Sequence, residues 1–184
     1  MFPKVYADFV QKLRVPCGFL LLITFAWLSN PSRDSLLIGL PVCVAGLALR
    51  GWAAGHLAKD RELAMTGPYA YMRNPLYGGT LIVALGIVIA SESLSLAAIF
   101  TIVFLFVYLP AIELEEQHLR EIFPAYASYR SSVGRFLPIR KWRNGSARFS
   151  WARYSKNQEY KAALGFICAV AWLTWKYWQN TSVG

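Results

Sequence analysis

Residues 94–109 read LSLAAIFTIVFLFVYL and contain no charged side chain. A long apolar block of this kind is typical of a helix that crosses a bilayer, whereas a helix on the core of a soluble domain repeats its apolar positions every three or four residues. The composition agrees, because 56% of the 184 residues are apolar and only 16% are charged, against roughly 25% in soluble proteins. The sequence therefore predicts an integral membrane protein.

Four further apolar blocks accompany this one, so we expect an all-α, polytopic membrane protein with about five transmembrane helices. Turn signals separate the blocks, with Asn30-Pro31 after the first and Ser91-Glu92-Ser93 after the third. Pro110 is expected to kink the fourth segment near the membrane surface, since proline has no N–H with which to continue the helix. The five segments are residues 15–28, 35–58, 75–91, 94–122 and 162–178.

The basic residues are distributed unevenly between the predicted loops. Nearly all of the 19 Lys and Arg side chains fall on one side of the membrane, and the outer side holds only Arg33 and Lys176. Because cytoplasmic loops carry the excess of Lys and Arg, this pattern places the N-terminus in the cytoplasm and the C-terminus on the outer side. The basic and aromatic stretch from Arg140 to Lys156 is expected to lie on the inner interface as an amphipathic segment.

Charge and cysteine content limit the partners of the chain. The net charge of +9 comes with no nucleic-acid-binding motif, so we expect no nucleic acid partner. Cys17, Cys43 and Cys168 lie in apolar blocks at unrelated spacings. This arrangement predicts neither a metal site nor a disulfide framework.

The loop before the third segment reads TGPYAYMRNPLYG from Thr66 to Gly78. Gly67-Pro68 predicts a turn, and Asn74-Pro75 predicts a helix start with Asn as the N-cap and Pro at the first helical position. The backbone N–H groups of that first turn suit a carboxylate or phosphate, and Arg73 adds a positive charge beside them. A turn, a helix cap and interfacial tyrosines are also what an ordinary membrane loop uses, so both interpretations stay open.

Three acids crowd the polar end of the fourth segment, which reads ELEEQHLR from Glu113 to Arg120. Glu116 and Arg120 are spaced i,i+4 and can pair. Glu115 points about 100° away around the helix and is the better candidate to face a cationic ligand. The alternative is a solvated helix face, and His118 is expected to be exposed.

The order of motifs in the central part of the chain resembles the isoprenylcysteine carboxyl methyltransferase family, and the phospholipid N-methyltransferases share the same pattern. The resemblance covers about half the chain, roughly residues 50–138. It rests on Gly67-Pro68-Tyr69, on Arg73-Asn74-Pro75-Leu76-Tyr77-Gly78, on Glu115-Glu116 with Leu119, on Phe123-Pro124 with Tyr126 and Tyr129, and on Arg135 with Pro138.

This resemblance implies a single methyltransferase-like membrane domain with a cytoplasm-facing S-adenosylmethionine pocket in residues 50–138. Residues 139–184 would then form the basic interfacial segment and the last transmembrane helix. A sulfonium cation suits tyrosine faces and a carboxylate, and the carboxylate of the cofactor suits a helix N-terminus with Arg73 beside it. No residue is assigned to catalysis. The implied cofactor-binding residues are Glu62, Leu63, Tyr69, Arg73, Asn74, Pro75, Leu76, Tyr77 and Glu115.

The resemblance also implies a lipophilic or membrane-embedded methyl acceptor, with membrane lipids as partners. The family usually has His at the position of Asn74, and its eukaryotic carboxyl methyltransferases have a substrate-binding arginine at that of Ala111. The usual Phe-Gly-x-x-Tyr is one residue shorter here, between Phe123 and Tyr126. Four functions therefore stay open: carboxyl methylation of a prenylcysteine-like acceptor, N-methylation of a phospholipid, non-catalytic lipid binding or scaffolding, and a sterol-type reductase, for which the chain is short.

Overall fold

The computed structural model describes residues 4–59, 61–138, 142 and 147–182. Throughout these residues the regular structure is helical, as predicted, and no β-strand forms among them. A 3₁₀ turn covers Gly67–Ala70, and a π-helical turn covers Phe104–Tyr108. The α-helices are α1 Lys4–Leu28, α2 Arg33–His56, α3 Pro75–Ser91, α4 Leu94–Val103, α5 Leu109–Ile122, α6 Tyr126–Ser132, α7 Trp151–Lys156 and α8 Tyr160–Ser182.

Two of the helical stretches are long and apolar enough to cross a membrane. These are Arg33–His56 and the continuous stretch Leu94–Ile122, and they correspond to the second and fourth predicted segments. Pro16–Leu28 and Pro75–Ser91 are apolar but shorter. The count of five spans and the orientation of the termini stay predictions.

The described residues fall into two compact units, each assembled from distant parts of the sequence. Unit 1 comprises the described parts of Met1–Pro41, Ala84–His118 and Cys168–Gly184. Unit 2 comprises those of Val42–Val83 and Leu119–Ile167. Several helices contribute residues to both units.

In unit 1, Pro110 is preceded by a π-helical turn, and the helix continues through it. The Leu109 N–H donates to the carbonyl of Phe104, five residues back, as in a π-helix. Pro110 has no N–H for the carbonyl of Phe106, and that carbonyl instead accepts a 2.8 Å hydrogen bond from the Tyr6 hydroxyl of α1. A side chain from a distant helix thus satisfies the acceptor that the proline leaves open.

The N-terminal half of α1 packs along the same region. Apolar side chains spaced three or four residues apart form one face of α1, which explains why the helix extends N-terminally of the predicted membrane segment at residues 15–28. Their burial against the π-helical turn and its neighbours gives unit 1 its first apolar cluster. The cluster contains Val10, Val103, Val107 and Ala111 at its centre, with Tyr6, Leu13, Cys17, Leu21, Ile99 and Tyr108 around them.

The C-terminal part of α8 completes unit 1 by binding the end of α1. The Trp172 indole donates to the carbonyl of Ala26 at 3.2 Å. The Lys176 ammonium donates to the carbonyls of Trp27 and Ser29 at 3.0 and 2.7 Å. A cation at these last carbonyls is favourable because a helix C-terminus carries partial negative charge.

In unit 2, α2 and α3 approach each other closely where glycines remove the side chains. A Cβ on Gly46 would lie 2.7 Å from the Val83 nitrogen, and one on Gly79 would lie 2.5 Å from Cγ of Arg50. The space at Gly79 therefore admits the Arg50 side chain. Its guanidinium binds the Glu159 carboxylate with both arms, Nε to Oε1 at 2.5 Å and Nη2 to Oε2 at 3.1 Å.

Candidate methyl-donor site

The Gly-Pro-Tyr turn of unit 2 depends on a glycine conformation. Gly67 has φ +60°, a left-handed value that side chains disfavour, and a Cβ there would lie 2.5 Å from the His56 ring. The next residues, Pro68, Tyr69 and Ala70, are buried. The turn is therefore a fixed part of the interior of unit 2, not a mobile surface loop.

Residues from α6 and beyond hold this turn in place. The Tyr129 hydroxyl donates to the carbonyl of Tyr69 at 2.6 Å, and the Trp142 N–H donates to the carbonyl of Ala70 at 2.7 Å. Leu63, a predicted cofactor residue, is partly buried against the same apolar cluster. The cluster has Tyr126, Tyr129 and Val133 at its centre and Leu63, Met65, Leu119, Phe123 and Trp142 around them.

The second predicted motif pairs with the last motif of the series. Met72 and Gly134 form an isolated parallel bridge. The Arg73 N–H donates to the carbonyl of Gly134 at 2.9 Å, and the Asn74 N–H donates to that of Arg135 at 3.1 Å. These bonds place the start of α3 beside a segment about sixty positions later in the chain.

The Arg73 side chain also has a structural function. Its Nη1 donates to the carbonyls of Arg130 and Val133 at 2.8 and 2.9 Å, at the C-terminal end of α6. A guanidinium satisfies carbonyls that a helix end leaves open and complements the negative end of its dipole. The positive charge of Arg73 is therefore held at the C-terminal end of α6.

The predicted start of α3 is confirmed. Pro75 is its first residue, and the preceding Asn74 is buried. The Asn74 carbonyl accepts from the Gly78 N–H at 2.9 Å, which is the first bond of the helical ladder. Leu76 and Tyr77 follow in the first turn and are half-buried.

The remaining predicted residues occupy different surroundings. Glu62 is exposed, and one of its carboxylate oxygens lies 3.9 Å from Nη2 of Arg153. Glu115 is exposed on α5 and belongs to unit 1, whereas the other predicted residues belong to unit 2. His118 is exposed, as predicted.

Three residues that were not predicted to bind the cofactor are buried or hydrogen-bonded at the site or on α5. Glu116 is only 1% exposed, whereas its neighbour Glu115, the predicted cofactor residue, is exposed. Its position one turn after the fully buried Ile112 is the sequence feature that could have indicated this burial. Arg135 contributes a backbone carbonyl to the site, and Tyr129 contributes its hydroxyl. Both belonged to the motif series without an assigned role.

Together these features define an all-helical membrane protein whose Gly-Pro-Tyr turn and Arg-Asn-Pro helix start are fixed by a later segment. Comparison with known proteins identifies the class. Residues 17–126, more than half of the chain, match the family model of the phospholipid methyltransferases. The chain belongs to this family, which confirms the resemblance drawn from the motifs.

Three curated relatives show the range of the similarity. The chain is 33% identical over 114 residues to the cobalt-zinc-cadmium resistance protein CzcN of Cupriavidus metallidurans, covering 61% of this chain and 51% of that protein. It is 31% identical over 114 residues to the nickel-cobalt-cadmium resistance protein NccN of Alcaligenes xylosoxydans xylosoxydans, covering 61% and 52%. It is 28% identical over 142 residues to the protein-S-isoprenylcysteine O-methyltransferase of Schizosaccharomyces pombe, covering 74% and 60%.

The chain thus spans between 51% and 60% of the length of these relatives. No solved structure matches the chain. Among the described residues, no group of three His, Cys, Asp or Glu side chains is placed to hold a metal ion.

Proposed function

We propose that the chain is an S-adenosylmethionine-dependent methyltransferase that acts on a lipophilic or membrane-embedded acceptor. The observation that carries the proposal is the pairing of Met72–Asn74 with Gly134 and Arg135. It joins two motifs of a methyltransferase family at the first turn of an apolar helix. Membership of the phospholipid methyltransferase family supports the reaction class.

The residues of unit 2 fit the methyl donor. When bound, S-adenosylmethionine supplies a methyl group carried on a sulfonium cation. The N-terminus of the 17-residue helix α3 has partial positive charge and suits the donor's carboxylate, and Arg73, two residues before the helix, would add a further positive charge. The aromatic faces of Tyr69 and Tyr77 suit the cation. The proposed donor-binding residues remain Glu62, Leu63, Tyr69, Arg73, Asn74, Pro75, Leu76, Tyr77 and Glu115.

The chain's main contribution to catalysis would be positioning. Methyl transfer is an in-line displacement, so the acceptor atom must lie about 3–3.5 Å from the methyl carbon and opposite the sulfur. A turn and a helix start that are fixed by buried hydrogen bonds can hold such a geometry. The assignment of Glu115 rests on the family resemblance alone.

The orientation and the acceptor complete the proposal. The N-terminus would be cytoplasmic and the C-terminus outside, with about five spans and with donor binding from the cytoplasm. Carboxyl methylation is supported by the similarity to an isoprenylcysteine O-methyltransferase. Phospholipid N-methylation, the alternative enzyme function, is supported by the description of the family. A non-catalytic lipid-binding function is the third alternative, motivated by Asn74 and Ala111.

The first experiment measures S-adenosylmethionine binding by calorimetry to the purified protein in nanodiscs. Tyr77→Ala should weaken binding about threefold or more through loss of an aromatic face, and Glu115→Gln about tenfold through loss of a charged contact. His118→Gln, an exposed change on the same helix as Glu115, serves as the control and should bind as the wild type does. Unchanged affinity in both test variants would remove the site assignment.

A second experiment separates the acceptor classes. The protein is supplied with labelled donor and either phosphatidylethanolamine or a prenylcysteine analogue. Methyl transfer to a carboxylate gives a base-labile ester, whereas transfer to an amine gives a base-stable methylated headgroup. Donor binding without either product would support the non-catalytic function.

A further inference from the structure

Thr66 has an unexpected hydrogen-bond partner. It stands immediately before the 3₁₀ turn Gly67–Ala70 in extended conformation, where a threonine hydroxyl usually caps its own turn. No such cap forms. Instead, Thr66 Oγ1 lies 3.0 Å from Nδ1 of His56, the last residue of α2.

The imidazole of His56 is held on several sides and is only 8% exposed. Its ring makes edge contacts with Trp52 and Phe149, with centroids 6.5 and 6.2 Å apart. Gly67 lies against the ring so closely that a Cβ there would be 2.6 Å from Nε2. The imidazole therefore cannot shift without moving the turn.

A later segment fixes the end of α2 that carries His56. The Ser150 N–H donates to the carbonyl of Gly55 at 3.0 Å. The Asn157 amide donates to the carbonyl of Ala54, in the last turn of α2, and to that of Leu57, just beyond the helix, at 2.9 and 3.0 Å. The segment Phe149–Asn157 thereby anchors the histidine, and the histidine anchors the turn.

We propose that His56 is a positioning residue for the methyl donor, acting through Thr66 on the Gly-Pro-Tyr turn. This inference rests on the proposed function, because it assumes that Tyr69 contributes to donor binding. Tyr69 is three residues beyond Thr66 within a buried 3₁₀ turn, so displacement of Thr66 shifts Tyr69 with it. His56 needs no contact with the donor for this effect.

The test compares Thr66→Val, which keeps the shape and removes the hydroxyl, with Thr66→Ser, which keeps the hydroxyl. Donor affinity is measured by calorimetry on the full chain in nanodiscs, together with the thermal midpoint. Thr66→Val should weaken binding about five- to tenfold, the size of one lost hydrogen bond, and Thr66→Ser should stay within about twofold of the wild type. A purely structural hydrogen bond would change the thermal midpoint and leave affinity unchanged.

His56→Phe provides a second route to the same result, since it keeps an aromatic ring and removes Nδ1. It should lower affinity as Thr66→Val does, and the double variant should be no worse than either single variant. If the wild type binds the donor and both Thr66→Val and His56→Phe bind it as tightly as the wild type, this inference is overturned and the proposed function still stands. Absence of binding in the wild type would overturn both.

Discussion

The paired charges of Arg50 and Glu159 allow a quantitative test of what stabilises unit 2. Glu159 is 8% exposed and holds the guanidinium with both oxygens, while the Thr80 hydroxyl accepts from Nη1 of Arg50. Glu159→Gln keeps the shape of the side chain and removes its charge. The amide can accept only one of the two guanidinium bonds, because its second terminal atom is a donor.

The size of the effect follows from burial. Removing one partner of a buried ion pair costs about 3–5 kcal/mol, because the other charge is left uncompensated. The Arg50 side chain is 23% exposed, so water partly solvates the guanidinium that the change leaves unpaired. We therefore expect Glu159→Gln to lower the free energy of unfolding by about 2–3 kcal/mol. For a chain of this size the thermal midpoint should fall by roughly 4–12 °C.

The measurement is thermal unfolding in detergent, monitored by tryptophan fluorescence. Lys161→Gln, an exposed change two residues away, is the matched control and should change stability by less than about 0.5 kcal/mol. Replacing both partners, as in Arg50→Met with Glu159→Met, should restore most of the stability, because an apolar pair leaves no buried charge. If the double variant instead loses as much stability as Arg50→Met and Glu159→Met added together, an uncompensated charge is not the cause of the loss.

Two further stability predictions rest on close contacts. Tyr6→Phe removes the hydroxyl that donates to the carbonyl of Phe106 and should lower the free energy of unfolding by about 1–2 kcal/mol, measured by thermal unfolding. In a Pro110→Ala background a backbone N–H is available to that carbonyl, so the same change should lower stability by less. Gly55→Ala would make a Cβ overlap the ring of Phe149 and should lower the free energy of unfolding by about 1–3 kcal/mol. In a Phe149→Ala background, where the ring is absent, Gly55→Ala should have little effect. An equal loss of stability with and without the Phe149 ring would contradict this packing.

The elements that could be predicted from sequence are those set by neighbouring residues. The start of α3 was predictable because Asn74-Pro75 is a local helix-start signal, and its end because Ser91-Glu92-Ser93 is a local turn. Glu92 indeed adopts a left-handed conformation with φ 46°. The apolar composition of residues 94–109 similarly predicts a membrane helix without any knowledge of its partners.

Long-range pairings could not be predicted in the same way. The Tyr6 hydroxyl binds a carbonyl of the π-helical turn 100 positions away, and the candidate site depends on the pairing of Met72–Asn74 with Gly134 and Arg135. The sequence shows that Arg73 carries a charge beside the helix start, but not that the guanidinium also binds the end of α6. Spacing on one helix separates Glu115 from Glu116, but burial depends on what packs against that helix, and the sequence does not show that Glu116 is the buried one.

The attachment of α8 to α1 affects the order in which the protein can mature. A chain emerges from the ribosome from its N-terminus, so the end of α1 is made before Trp172 and Lys176, which lie 146 and 149 positions after their partners. Until then the carbonyls at the end of α1 and the apolar surface around Phe25 lack the partners that α8 provides. Unit 1 therefore closes only after the C-terminal part of α8 has been made, and a ribosome-stalled chain that ends before Cys168 should be recognised as immature by chaperones and proteases.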